Sequence, residues 1–349
     1  MPVHYSSIID EHLAVRKSGG LFDISHMGEL FITGNDALAF VNRALTNDAS
    51  CLAVGEGQYT LLCRDCGGVV DDLYLFRIAE TEFLLVVNAS RIEAVVEWMN
   101  GLRARFEFAD LGFENRSDSL GAVAIQGPTV ESFIDECFSK ESIARRLVDG
   151  VSGLKKNEIG EFLFDDFRVW ISRTGYTGED GFEIIGENDV MPQVWRRLLS
   201  VGHQACLQPI GLGARDTLRT EMGYPLYGHE LSESISPLEA GLGFFVKLSK
   251  DEFVGKSALA AQKAEGLRRR SVGFKMLGKA PPPRPGYAVL LDGETVGETT
   301  SGTVSPSLKR GIGLALVSAD IAKIGCEFAL EIRGRFYPAV TSKKPLHIE

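Results

Sequence analysis

The chain has 349 residues, a net charge of −10 and 44% hydrophobic residues, with 20 Phe among them. That length exceeds one ordinary core and suits two or three lobes. The acidic balance argues against a nucleic-acid partner, whose phosphates want a basic face, and no apolar run approaches the roughly 18 to 20 residues that cross a bilayer.

The N-terminus, Met1-Pro2-Val3-His4-Tyr5, has neither an apolar signal region nor Arg-rich transit character. A cytoplasmic protein with reduced thiols is expected, because six Cys in so long a chain make no disulfide scaffold. In chain order, Gly34-Asn35-Asp36 opens a helical pattern with Leu38, Val41 and Leu45 on one face. Cys63 and Cys66 stand at C-x-x-C spacing, but no second pair completes four metal ligands, and the following Gly67-Gly68 reads as a hairpin turn. Residues 82–88 (EFLLVVN) predict a buried strand. Ser90 with Glu93 predicts a capping box, followed by a helix with Val95, Val96 and Met99 turned inward. Residues 119–126 predict a strand ended by Gly127-Pro128, and residues 213–223 a helix stopped by Gly223. Ser236-Pro237-Leu238-Glu239 is a second capping box. This alternation predicts an α+β body over residues 1–265. Over residues 266–349, short runs at 288–291, 295–300, 311–317 and 328–332, with an Asp292-Gly293 turn, predict a small β-barrel.

Charge divides along the same line. Residues 266–349 carry 13 Lys+Arg against 7 Asp+Glu, or +6, and the remainder 24 against 40, or −16. A basic module on an acidic body suits an anionic partner or substrate tail, and equally a solvated surface.

Several familiar signatures fail. Gly255-Lys256-Ser257 lacks the first Gly of a P-loop, since residue 250 is Lys. Gly211-Leu212-Gly213 runs on to Asp216 and breaks the dinucleotide fingerprint. There is no H-E-x-x-H and no G-x-S-x-G.

Three stretches could carry chemistry. In Gly67-Gly68-Val69-Val70-Asp71-Asp72-Leu73-Tyr74-Leu75-Phe76, strand alternation sends the two acids to opposite faces and groups Asp72 with Val70, Tyr74 and Phe76. A carboxylate in such company either has a partner, such as the turn amides, or has a purpose. Arg173-Thr174-Gly175-Tyr176-Thr177-Gly178-Glu179-Asp180-Gly181-Phe182-Glu183 brings the backbone close to something, and its Glu183 could grip a flat amidine-like edge; a tight hairpin with surface acids is the alternative. On the 213–223 helix, Arg215 and Arg219 lie one turn apart and need answering acids, with Asp216 and Glu221 at hand.

Together these stretches resemble the T-protein family of the glycine cleavage system over nearly the whole chain. Leu21-Phe22-Asp23-Ile24-Ser25-His26-Met27 resembles its N-terminal signature, and residues 67–73, 173–183, 214–222, 236–241 and 300–316 follow in the family's order. The resemblance implies a three-lobed fold: two intertwined α+β lobes and a C-terminal β-barrel around a central folate cavity. It also implies a tetrahydrofolate-dependent aminomethyltransferase, which receives an aminomethyl group on the lipoyl arm of the H-protein and yields 5,10-methylenetetrahydrofolate and ammonia. Carried over by motif, Asp72 is the catalytic acid, Glu183 holds the pterin and Arg215 contacts folate, while Met27, Tyr59, Asn88 and Tyr176 line the pocket. No metal is implied. The chain departs from the family in starting at Met1, without the further N-terminal residues of most members, and in lacking an aromatic residue near its end. Related proteins demethylate sulfonium compounds or methylated amines, or bind folate without catalysis in support of iron–sulfur enzymes. The latter carry a Lys-Gly-Cys-Tyr loop where this chain has Arg173-Thr174-Gly175-Tyr176.

Overall fold

A computed structural model describes residues 1–143 and 148–348; Glu349, the end of the C-terminal stretch, lies outside them. Two sheets face each other across one apolar layer, and a closed barrel docks against them. Helix α1 (Ile8–Lys17) is capped by Ser7, whose hydroxyl accepts the Asp10 N–H. Strand β1 (Gly19–Asp23) then leads to β2 (Gly28–Thr33), α2 (Ala37–Ala44), β3 (Glu56–Cys63), β4 (Val69–Ala79), β5 (Glu82–Val87), α3 (Ile92–Phe106) and β6 (Gly112–Asn115). Strands β2 to β6 make a five-stranded sheet in the order β3-β4-β5-β2-β6.

The chain next forms β7 (Leu120–Gln126), β8 (Ile159–Phe164), β9 (Phe167–Ser172), β10 (Gly181–Glu187), α4 (Met191–Val201), β11 (Leu207–Ile210) and α5 (Leu212–Met222). Its six-stranded sheet has the order β11-β1-β7-β10-β9-β8. Because β1 sits between β11 and β7, the first strand completes a sheet otherwise made by the later part of the body. The two α+β lobes are intertwined. Helices α2 and α3 cover the outer face of the five-stranded sheet, and α4 covers the outer face of the other. Phe22, Phe31, Phe76, Leu84, Ala124 and Ile185 fill the layer between them, closed at one side by Val15, Ala214 and Leu218 of α1 and α5.

Helix α6 (Lys256–Glu265) precedes β12 (Arg269–Met276), β13 (Ala288–Leu291), β14 (Glu294–Ser305), β15 (Arg310–Ser318), β16 (Glu327–Ile332) and β17 (Arg335–Ser342). These six strands close as β12-β15-β14-β13-β16-β17, with β17 pairing back onto β12. Glu221 of α5 fastens the barrel to the body. It accepts hydrogen bonds from the Ser305 hydroxyl at 2.5 Å and the Ser307 amide at 3.2 Å, and it meets His12 Nε2 at 3.0 Å and Arg16 Nη2 at 3.1 Å. Burial alone would raise its pKa, but the His12 and Ser305 bonds and the Arg16 charge hold it down at about 2.

Local expectations fare unevenly. Gly223 stops α5 in the left-handed conformation at φ 70°. Helix α2 buries Ala37, Phe40, Val41 and Ala44, leaving Leu38 half-buried. Ser90 caps nothing: a 3₁₀ turn, Ala89–Arg91, intervenes, and the helix starts at Ile92. Ser236 and Glu239 do exchange their two capping-box bonds, at 3.1 and 3.0 Å, but these close a single turn that Gly241 ends at φ 80°. The Cys63–Cys66 stretch is the β3–β4 turn, with Gly67 at φ 87° and its N–H bonded to the Arg64 carbonyl.

Among the buried polar groups of the described residues that lack a partner, one is a whole carboxylate. Glu29 on β2 is fully buried and neither carboxylate oxygen has a hydrogen-bond partner among the described residues. Desolvation lifts its pKa from 4.5 to about 8. The folded state therefore holds a proton that the unfolded state releases, and stability declines as pH rises between these two values, by about 1.4 kcal/mol per unit at most. Glu29→Gln, which cannot ionise, is expected to be more stable than wild type by at least about 2 kcal/mol at pH 8 and to lose that advantage at pH 5. Denaturant titrations at both pH values check this; parallel behaviour of the two proteins contradicts it.

Candidate functional site

Strand β4 places the acidic pair. A register shift opposite Leu62 and Cys63 bulges β4 beside Val70, so Val70 packs with Leu73 and Leu75 on the helix side instead of sharing a face with Asp72. Beyond the bulge alternation holds, and Asp72, Tyr74 and Phe76 point between the sheets. Tyr59 of β3 donates its hydroxyl to Asp72 Oδ2 at 2.8 Å. Asn88, just after β5, serves both acids: its side-chain amide nitrogen lies 3.0 Å from Asp72 Oδ1 and 2.8 Å from Asp71 Oδ1, and its backbone N–H reaches Asp71 Oδ2 at 3.0 Å. The same amide nitrogen is 2.9 Å from the Asp72 carbonyl, so two N–H groups are shared among three oxygens. This tie also draws residue 89 onward into the tight turn that displaces Ser90 from the helix start.

Burial pushes the Asp72 carboxyl up to about 6, against the lowering effect of the Tyr59 and Asn88 bonds. Asp71, fully buried, is raised further by the same desolvation and then by the charge of Asp72. The Tyr59 hydroxyl, desolvated and beside a carboxylate, is raised well above its usual range and stays a donor.

The facing wall comes from the loop between β9 and β10 and from α5. Gly178, at φ 85°, lets this loop lie against Met222, whose Sδ would be 2.2 Å from an added Cβ. Tyr176 donates its hydroxyl to the Pro225 carbonyl and stacks on Tyr224 with ring centroids 5.8 Å apart. The Arg215 guanidinium lies 4.9 Å over the Tyr176 ring. Glu183, the third residue of β10, shares a face with Ile185, and one of its oxygens accepts the Thr174 hydroxyl at 2.5 Å.

The two arginines of α5 have different fates. Arg219 is neutralised by Asp216 at 2.6 Å and by Glu230 at 3.2 Å. Glu221 faces the barrel instead and answers neither. Arg215 has no ion pair among the described residues, and burial lowers its pKa while the nearby Glu183 charge opposes that. Asp72, Tyr59, Tyr176 and Arg215 are enclosed by protein yet each keeps accessible surface, as groups do that line a space rather than fill a core. Met27 is half-buried in the inter-sheet cluster with Tyr74.

Other groups complete this site, and of them only Tyr74 is placed by strand alternation, on the Asp72 face. Tyr74 donates to Asn157 Oδ1 at 2.5 Å, and Tyr224 simply follows the helix-stopping Gly223. Lys344, beyond the barrel, lays its methylenes against Gly223, and its enclosed ammonium is lowered by burial while Glu230 opposes the shift. No cluster of three or more His, Cys, Asp or Glu fit to hold a metal ion occurs among the described residues.

Known proteins bear on this geometry. The family model described as GCVT N-terminal domain matches residues 1–250, and the glycine cleavage T-protein C-terminal barrel domain matches residues 269–347. The aminomethyltransferase of Lysinibacillus sphaericus is 46% identical over 348 residues, covering 99% of this chain and 91% of that protein. That of Bacillus subtilis is 44% identical over 350 residues, covering 99% and 92%. The crystal structure of glycine cleavage system aminomethyltransferase T from Bartonella henselae superposes with a TM-score of 0.89 at 30% identity, covering 99% of this chain and 91% of that one. The chain belongs to the T-protein family: it is an aminomethyltransferase of glycine cleavage, of the class that uses tetrahydrofolate.

Proposed function

We propose that the space between Asp72 and the Glu183–Arg215 wall takes tetrahydrofolate, and that Asp72 is the catalytic acid. The observation that carries this reading is the Asp72 carboxylate, enclosed, held by two neutral donors and paired to no cation among the described residues. The donor is the aminomethyl group on the lipoyl arm of the H-protein. In the reaction, the carbon loses its bonds to sulfur and to nitrogen and gains bonds to N5 and N10 of folate. The two N–H protons so displaced end on the thiol and on ammonia, so atoms and charge balance. Positive charge develops on the carbon as its bonds break, and a fixed carboxylate outside bulk water stabilises it. Tyr59 and Asn88 set the direction of that carboxylate before substrate arrives.

Glu183 has one oxygen engaged by Thr174 and the other without a hydrogen bond among the described residues. It suits the N3–H and 2-amino edge of a pterin, which presents two parallel donors. Arg215 and Tyr176 form the adjoining wall, and Met27 lies at the inter-sheet end. No helix among the described residues is long and apolar enough to cross a membrane. Six free thiols fit a cytoplasmic setting.

Asp72→Asn keeps the shape and the Tyr59 bond while removing the charge. Turnover of aminomethyl-loaded H-protein is expected to fall about 10²- to 10³-fold, with the tetrahydrofolate Kd within about threefold by calorimetry; retention of turnover excludes Asp72. With the carboxylate as the active form, wild-type kcat rises with pH through about 6. In the residual activity of Asp72→Asn that limb is flat, and its persistence assigns the titration elsewhere. Glu183→Gln is expected to weaken tetrahydrofolate binding about 10- to 100-fold, the loss of one charge-assisted bond, with kcat at saturating folate little changed.

A further inference from the structure

A second concavity, about 520 Å³ in volume, opens where the body meets the barrel. Its apolar lining comes from Leu238 and Val246 of the body and from Leu267 and Val272 of the segment entering β12. At its rim Phe244 has 77% of its surface exposed, more than any other large hydrophobic residue among the described residues. Ile324, two residues past the cleft-lining Ala322, is 70% exposed. A lone exposed apolar residue is ordinary, but an exposed ring that itself lines an apolar concavity extends it into a patch that water covers poorly.

The rim is cationic. Lys263 and Arg270 line the cleft, Lys247 holds its ammonium 4.4 Å over the Phe244 ring, and Arg268 lies on the same connecting segment. None of these four makes an ion pair with a described residue. Glu239, the acid in the lining, is already engaged by Arg269 at 3.0 Å and by the Ser236 N–H at 3.0 Å. Glu265 on the connecting segment opposes part of the charge, and the rim keeps a positive balance on a chain of net charge −10. An exposed aromatic ring under one lysine, in a cleft that two further cations line, is the anatomy of an interface centre with a steering rim.

The cleft adjoins the candidate site. Phe245 contacts Phe244 at 5.3 Å between ring centroids and meets Tyr59 edge-on at 4.7 Å. Tyr59 is the residue that donates to Asp72. Two ring contacts and one hydrogen bond thus separate the exposed ring from the carboxylate.

We propose that this Phe244-tipped basic cleft docks an acidic carrier protein that presents the aminomethyl group on a flexible thiol-bearing arm; the inference rests on the aminomethyl-transfer reading above. The carrier's acidic face meets Lys247, Lys263, Arg268 and Arg270, an apolar side chain covers Phe244, and the arm is left to reach Asp72.

The test compares two donors on the full-length protein: aminomethyl-loaded H-protein and free aminomethyl-dihydrolipoamide, which has no protein surface. Phe244→Ala and the double variant Lys263→Glu/Arg270→Glu alter exposed side chains, and folding is verified by thermal melts. Each variant is expected to raise the KM for H-protein at least about tenfold. The kcat, the KM for tetrahydrofolate and turnover of the free donor stay within about twofold. The charge variant also flattens the salt dependence of the H-protein KM. An unchanged H-protein KM overturns the proposal, as do equal losses with both donors or a rise in the folate KM, which moves Phe244 to the folate site. Wild-type protein that turns over neither donor refutes the aminomethyl-transfer reading and the docking with it. Wild-type turnover of both, with variants indistinguishable, refutes docking alone.

Discussion

The centre of this molecule depends on a carboxylate taken out of bulk water and held by neutral donors. Asp72 receives a phenol and an amide, and its pKa stands at about 6. Glu221, also buried, receives an imidazole, an arginine and two serines, and stands at about 2. The same side-chain chemistry thus serves two ends, set by the partners. Glu221 spends its charge fastening α1, α5 and the barrel together. Asp72 keeps its charge available, because nothing cationic among the described residues claims it. The buried Asp71 beneath the same Asn88 amide is driven toward its neutral form by desolvation and by the charge of Asp72, which leaves Asp72 the ionised member of the pair.

Intertwining is what brings the two walls together. Asp72 belongs to the five-stranded sheet, made from the continuous stretch 28–115, and Glu183 to the six-stranded one, which takes β1 from before that stretch and β7 to β11 from after it. Strand β1 enters the second sheet before any of the first is made, which obliges the chain to leave and return. The inter-sheet layer, with Phe31 against Trp170 at 5.7 Å, then fixes the separation of the walls. The β9–β10 loop comes close to α5 because Gly178 leaves no Cβ to meet Met222.

Much of this was legible in the sequence, and the failures have identifiable physics. The helix at Arg215, its Gly223 stop and four of the six barrel strands follow from local turn chemistry and periodicity. Strand β12 opens on Arg269-Arg270, and β17 contains Pro338, so both read as loop; pairing with each other and with β15 or β16 closes them into the barrel all the same. Strict alternation puts Val70 on the Asp72 face because it assumes no bulge, and a bulge shows only in the pairing register. Ser90 and Ser236 carry the same capping signature. One is overridden by the Asn88 tie to Asp71, and the other forms its bonds but meets Gly241 one turn later. At the site, Met27 lies in the inter-sheet cluster, Tyr59 and Asn88 bond Asp72, and Arg215 lies over Tyr176. Tyr224, Glu230 and Lys344 were invisible because long-range folding alone brings them there.

The proposed site turns on one placement, a folate with its pterin edge on Glu183 and its N5 beside Asp72. A crystal structure of the protein with tetrahydrofolate tests that directly. Two hydrogen bonds from the pterin N3–H and 2-amino group to Glu183 are expected, with N5 within about 3.5 Å of an Asp72 oxygen. A pterin seated away from Glu183, or an Asp72 carboxylate with no folate atom in reach, contradicts it.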